Sequence, residues 1–160
     1  VAWYRSAARS SSSSSQPWTS MLFFHGIAPA GLTAYLPMIL GGLATERDRP
    51  VFLFENSSIS CAMGFSALTE QQTVDGVVET LEMVGALNSE LSLVGHSFGS
   101  CPITWLIASK KLPKIRHVVL LDPVAILLSE PDVMVNFLYS RHLDKIRLVA
   151  SSELFTEYYL

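Results

Sequence analysis

A mostly parallel β-sheet with helices on both faces is the fold class this sequence predicts, and three observations predict it. The strand-like segments are short unbroken apolar runs such as Val51–Phe54 and Leu91–Val94, the pattern of strands buried on both faces. Segments of helical periodicity separate them, giving a strand–helix–strand alternation. Hydrophobic residues make up 49% of the 160 residues and charged ones 16%, enough to bury one core and too apolar for a disordered chain.

The elements follow in order. Ser10–Ser15 is a serine run behind a mildly basic start (Arg5, Arg9), so residues 1–17 read as a flexible extension and 18–160 as the folded domain. Ser20–Phe24 is a buried strand that ends at His25-Gly26. A loop with Pro29 follows, and Leu32–Leu43 carries apolar residues at helical spacing, with Pro37 limiting its first turn. Val51–Phe54 is the second strand, and Asn56–Ser66 is irregular. Thr69 with Gln72 forms a capping box, and Val74, Val77, Val78, Leu81 and Val84 then define one apolar helix face. Leu91–Val94 is the third strand, Phe98 to about Ser109 a helix, and Val118–Leu121 the fourth strand. Ser129 caps a further helix with Glu130 and Asp132 in its first turn and Val133, Met134, Phe137 and Leu138 as its apolar side. Ile146–Leu160 reads as helical.

Several classes drop out. A net charge of −3 gives no electrostatic basis for nucleic-acid binding. Cys61 and Cys101 have no metal-type spacing and make no disulfide framework, so no metal is implied. No charged residue lies between Arg9 and Glu46, but prolines and glycines interrupt the apolar run Met21–Ala44. A spanning helix wants about 20 unbroken apolar residues; strand, loop and helix are the better reading, membrane association is not indicated, and a protein anchored in a membrane through this run stays open as a rival. The sequon Asn56-Ser57-Ser58 is a common chance triplet. Val1 is not a methionine and Leu160 falls inside a helical pattern. The sequence therefore reads as a piece of a longer chain and fixes neither localisation nor oligomeric state.

The chemical signal is Leu91-Ser92-Leu93-Val94-Gly95-His96-Ser97-Phe98-Gly99, a G-x-S-x-G between a strand and a helix. In that setting the serine sits on a tight, strained turn that lifts its hydroxyl above the sheet. Gly95 and Gly99 are small because side chains there would meet the neighbouring strand and helix. The following helix aims its N-terminus at developing negative charge. Upstream, Phe23-Phe24-His25-Gly26-Ile27 ends the first strand, where a His-Gly turn can supply a second backbone amide.

Together with Val118-Val119-Leu120-Leu121-Asp122-Pro123, these motifs resemble the α/β-hydrolase superfamily, in its esterase, lipase and serine-aminopeptidase-like branch. The likeness runs from about Met21 to Asp122. It implies a partial α/β-hydrolase fold, with Ser97 as nucleophile on a nucleophile elbow and the amides of Phe98 and Ile27 as oxyanion hole. His25 and His96 match structural histidines beside Gly26, Gly95 and Gly99. No cofactor is implied; the substrate would be a small ester with an apolar acyl part, with an amide or peptide still open.

The superfamily orders its triad Ser, acid, His. Asp122 ends the fourth strand, where some members carry the acid, and is equally a strand-ending turn residue before Pro123. Asp132 and Asp144 read as helix-start and surface charges. His117 falls at the start of the fourth strand, the wrong end, and His142 lies in a polar patch. The base, and with it the acid unless Asp122 serves, is expected beyond Leu160, which would leave the 160 residues inactive on their own. Residues 125–160 are either a helical lid or ordinary packing, and Cys101 is packing. The rival function is a non-catalytic hydrolase-like binding protein that keeps the turn for its geometry.

Overall fold

The computed structural model describes residues 2–5, 19–43, 49–60, 66–126, 130–132 and 135. Five strands form one sheet: β1 (Ala2–Arg5), β2 (Thr19–Phe24), β3 (Val51–Phe54), β4 (Glu90–His96) and β5 (Ile115–Leu121), in the order β1-β3-β2-β4-β5. Strands β2 to β5 run parallel, and β1 adds antiparallel to β3 at the edge. The expected mostly parallel sheet is present. Within the supposed flexible stretch 1–17, however, Ala2–Arg5 is paired as a strand; the serine run lies outside the described residues.

Successive side chains of a strand point to opposite faces, and both faces of β2 are apolar. Leu22 and Phe24 pack with Phe52, Leu91 and Leu93 against α2 (Glu70–Met83) and α3 (Ser100–Ser109). Met21 and Phe23 pack with Val51 and Val94 against the helical run that includes Leu32 and Ile39. That run is α1 (Leu36–Met38) between a 3-10 turn, Gly31–Tyr35, and a π turn, Ile39–Leu43. The apolar segment Met21–Leu43 is thus strand, loop and short helix, and no described helix is long and apolar enough to cross a membrane.

Helix α2 begins as its sequence requires. Thr69 Oγ1 accepts from the Gln72 amide at 3.2 Å and Gln72 Oε1 accepts from the Thr69 amide at 2.9 Å. Its outer face is tied to the end of α3 by an exposed Lys111–Asp75 ion pair of 2.6 Å. The pair holds the Asp75 carboxyl below its ordinary range, chiefly through the Lys111 hydrogen bond and then through that of Gln71. The folded form therefore gains from this carboxylate above its unfolded pKa and loses that gain as pH falls through the folded one.

Strand β5 starts three residues before the expected Val118. Arg116 and His117 carry it along an exposed edge, where polarity masks a strand in sequence. His117 is therefore within the strand and not at its start, with Nδ1 3.3 Å from Ser92 Oγ. Among the described residues β5 pairs only with β4, and Val118, Val119 and Leu121 are each 41–44% exposed. Such an apolar edge templates association. Val119→Lys is expected to raise the soluble fraction of the expressed chain at an unchanged melting temperature; sedimentation after expression checks this, and an unchanged fraction counts against β5 as the sticky surface.

Candidate functional site

Strand β4 ends at His96, and the chain turns at Ser97 into a 3-10 turn, Ser97–Gly99, that runs directly into α3. Ser97 has φ +50°, the left-handed region that costs a non-glycine residue energy and persists only where its surroundings impose it. The surroundings are visible. A Cβ on Gly95 would sit 2.7 Å from the Gly99 carbonyl oxygen, and one on Gly99 would run into the Phe24 carbonyl at the end of β2. The turn is folded against its own strand on one side and against β2 on the other. Ser97 is partly exposed, and its hydroxyl has no hydrogen-bond partner among the described residues.

The loop after β2 comes to the same place. A Cβ on Gly26 would lie 2.8 Å from Ser97 Cβ, so the His25-Gly26 turn packs directly on the serine. The Ile27 amide has no partner among the described residues. Phe98 stands in the first turn of the helical run, where backbone amides lack intrahelical acceptors. Ser97, Phe98, Gly26 and Ile27 are therefore gathered at the carboxyl ends of β2 and β4.

His25 is 2% exposed and both its ring nitrogens are engaged. Nδ1 lies 2.7 Å from the Gly26 carbonyl, which can only accept, and the Asn56 amide donates to Nε2 at 2.9 Å. One tautomer, with the proton on Nδ1, satisfies both. His25 holds two loops together and presents no free nitrogen to Ser97. His96 Nδ1 is 2.8 Å from the Tyr35 hydroxyl, and His117 pairs in register with Ser92, five positions up β4 from Ser97. His142 and Asp144 lie outside the described residues, as do most of the 125–160 segment and Cys61.

Asp122 is one residue beyond Leu121, which pairs with His96. Ser97 and Asp122 thus leave adjacent parallel strands side by side, and both are left-handed, Asp122 at φ +47°. Asp122 is exposed. Asp132 is exposed as well, in a helical stretch at residues 131–132. The described residues contain no group of His, Cys, Asp and Glu able to hold a metal ion.

Three further residues build the site, and sequence reasoning missed their part in it. Tyr35, counted as an apolar helix position, accepts from the Gly26 amide at 2.9 Å while bonding His96, and its ring meets Phe23, His25 and His96. Burial pushes its hydroxyl pKa up, with the Gly26 bond partly opposing. Glu55 accepts from the Leu32 amide at 2.9 Å and from the Ser60 hydroxyl, pinning the loop that carries Ile27. Ser100 is 1% exposed; it donates to the Ser97 carbonyl at 2.7 Å and accepts from the amides of Val124 and Ala125 at 3.2 and 3.0 Å. It ties the chain after Asp122 to the Ser97 turn. A tyrosine on an otherwise apolar face was the only signal available for the first; the other two had none. Cys101 is buried and its thiol pKa is raised by that burial, against a smaller lowering by Ser100, so it is packing.

The same arrangement of sheet and helices recurs in known proteins. A carboxylesterase of the ammonia-oxidizing thaumarchaeon Nitrososphaera gargenis aligns with 98% of this chain and 61% of its own length, at TM-score 0.53 and 15% identity. An alpha/beta hydrolase family protein from Desulfitobacterium hafniense aligns with 99% of this chain and 72% of its own, at TM-score 0.56 and 14% identity. The chain has an α/β-hydrolase-like fold. MenH from S. aureus is a third likeness, at TM-score 0.52 and 12% identity over 98% of this chain and 67% of that protein. The chain spans about three fifths of the Nitrososphaera enzyme. No protein-family model and no curated protein matches it.

Two substitutions test how the site is held. Gly99→Ala forces a methyl into backbone that cannot yield cheaply, and is expected to destabilise the chain by at least the ~1–3 kcal/mol usual for overpacking. Tyr35→Phe keeps the ring but strands the Gly26 amide, a loss of about 1–3 kcal/mol. Urea titration of each variant reads both values; a neutral Gly99→Ala would mean that the turn is not pressed against β2.

Proposed function

We propose that the chain carries the nucleophile half of a serine hydrolase acting on small carboxylic esters. Ser97 attacks the acyl carbonyl, and the amides of Phe98 and Ile27 receive the oxyanion as charge develops. The observation that carries this reading is the left-handed Ser97, set between two close-packed glycines and packed against Gly26 of the neighbouring loop, where the next amide, that of Ile27, has no partner among the described residues. Amides fixed in advance stabilise a tetrahedral intermediate without reorganising during the reaction, and one such donor is worth about 2.7–4 kcal/mol. The esterase-like neighbours support an ester as the substrate class.

The acid on this reading is either Asp122, held beside Ser97 by strand register and by the Ser100 bridge, or a later carboxylate. The base is expected after Leu160 on this reading: His25 has both ring nitrogens engaged, His96 and His117 each turn Nδ1 to another partner, and His142 lies outside the described residues. No metal or organic cofactor enters. The second reading, a non-catalytic hydrolase-like binding protein, draws on the same observation that no histidine reaches the Ser97 hydroxyl among the described residues.

Removing a triad member commonly slows such enzymes by ~10⁴–10⁶. The 160-residue chain is therefore expected to hydrolyse p-nitrophenyl esters no faster than its Ser97→Ala variant. A Ser97-dependent rate would instead assign the base to one of its own histidines. In a chain extended past Leu160 to include the base, a fluorophosphonate probe is expected to label Ser97 and not Ser97→Ala. Absence of labelling there favours the binding protein.

A further inference from the structure

Between α2, the start of α3 and the ends of β2 and β3 lies a cavity of about 160 Å³. Its floor is aromatic: Phe24 and Phe54 stack with ring centroids 5.0 Å apart, and Phe98 and Trp105 close the α3 side. Phe98 is among the residues that line it, and Ser97 is not. Apolar cavities of about 150 Å³ take up a benzene-sized molecule.

Gly76 borders this cavity in the middle of α2. A mid-helix glycine costs about 0.5–1 kcal/mol against alanine, and close packing usually accounts for one. Here a Cβ would meet nothing within 4 Å. The glycine relieves no clash; what it does is keep the wall of the cavity low.

The polar groups at the rim define what sort of ring fits. His25 and Glu55 line the cavity, but their ring nitrogens and carboxylate oxygens already serve the protein. Asn56 and Gln72 differ. Each uses its side-chain oxygen to accept from a backbone amide, Ser58 and Thr69 respectively, which fixes the orientation of both amide groups. Their NH₂ ends have no partner among the described residues. The rim therefore offers unused donors above an aromatic floor.

We propose that this cavity is a binding site for a benzene-sized apolar ring carrying a hydrogen-bond acceptor, such as an aryl ketone. The site is separate from the hydrolytic reading and stands whether or not Ser97 is a nucleophile. Acetophenone is the probe, because it matches the ring and the acceptor and has no ester to hydrolyse. Titrated into the ¹⁵N-labelled chain, it is expected to shift the Gly76 amide and Trp105 indole resonances saturably, and to bind several-fold more tightly than toluene. Gly76→Phe, which fills the space, is expected to weaken binding at least tenfold, whereas Gly76→Ala and Ser97→Ala retain it. Thr80→Phe, one turn further along the same wall, gives the same loss and serves if Gly76→Phe does not fold. Absence of saturable shifts at those two resonances, or wild-type affinity in a folded cavity-filling variant, overturns the proposal. Failure of the hydrolase reading would appear in fluorophosphonate labelling and leave this titration untouched.

Discussion

The backbone of Gly99 rests against the carbonyl of Phe24, at a separation that leaves no room for a methyl group. This contact between two stretches of main chain sets the depth at which the turn after β4 sits beside the end of β2. From it follow the left-handed Ser97, the packing of Gly26 on Ser97 Cβ, and the approach of the Ile27 loop to the first turn leading into α3. Two glycines remove the side chains that would hold these segments apart. Van der Waals contact falls off steeply with small gaps, so a methyl's width at this point would separate the groups that the proposed chemistry needs together.

The loops at the strand ends would still move without side chains to anchor them, and the anchors come from far along the chain. Tyr35 bridges the Gly26 amide and His96, His25 bridges Gly26 and Asn56, and Glu55 holds the Leu32 amide. Each bond is made by a group largely withdrawn from water, where an unmet partner costs more than the bond gains. The network therefore acts as a constraint more than as a source of stability: any loop shift that frees one partner is resisted by the desolvation of the other. Loops held in this way can present an amide to an incoming charge in a fixed direction.

The sheet and the Ser97 turn were legible in sequence because local pattern alone determines them. Unbroken apolar runs mark strands buried on both faces, and G-x-S-x-G marks a turn that few other residues could make. The Thr69 capping box was legible for the same reason, since both its partners lie within four residues. Strand β1 was not, because four residues ahead of a serine run carry no periodicity and its partner β3 lies some fifty positions away. Nor was the start of β5, where Arg116 and His117 occupy an exposed edge that imposes no apolar pattern. The roles of Tyr35, Glu55 and Ser100 depend on contacts across 61, 23 and 24 residues, and a single sequence holds no trace of such distances.

Ser100 shows how the ends of β4 and β5 are made to agree. Its hydroxyl has one proton and two lone pairs; it gives the proton to the Ser97 carbonyl and takes hydrogen bonds from both Val124 and Ala125, so its full capacity is used. Register already sets Asp122 beside Ser97, but register fixes only the strands and not the chain that leaves them. The Ser100 bridge extends that alignment past the last ladder pair, His96 with Leu121. The left-handed Asp122 then turns the chain back toward α3 where a continued strand would have carried it outward. A carboxylate leaving the sheet at that point is held at a fixed offset from the serine by backbone and by one buried hydroxyl, before any base is in place.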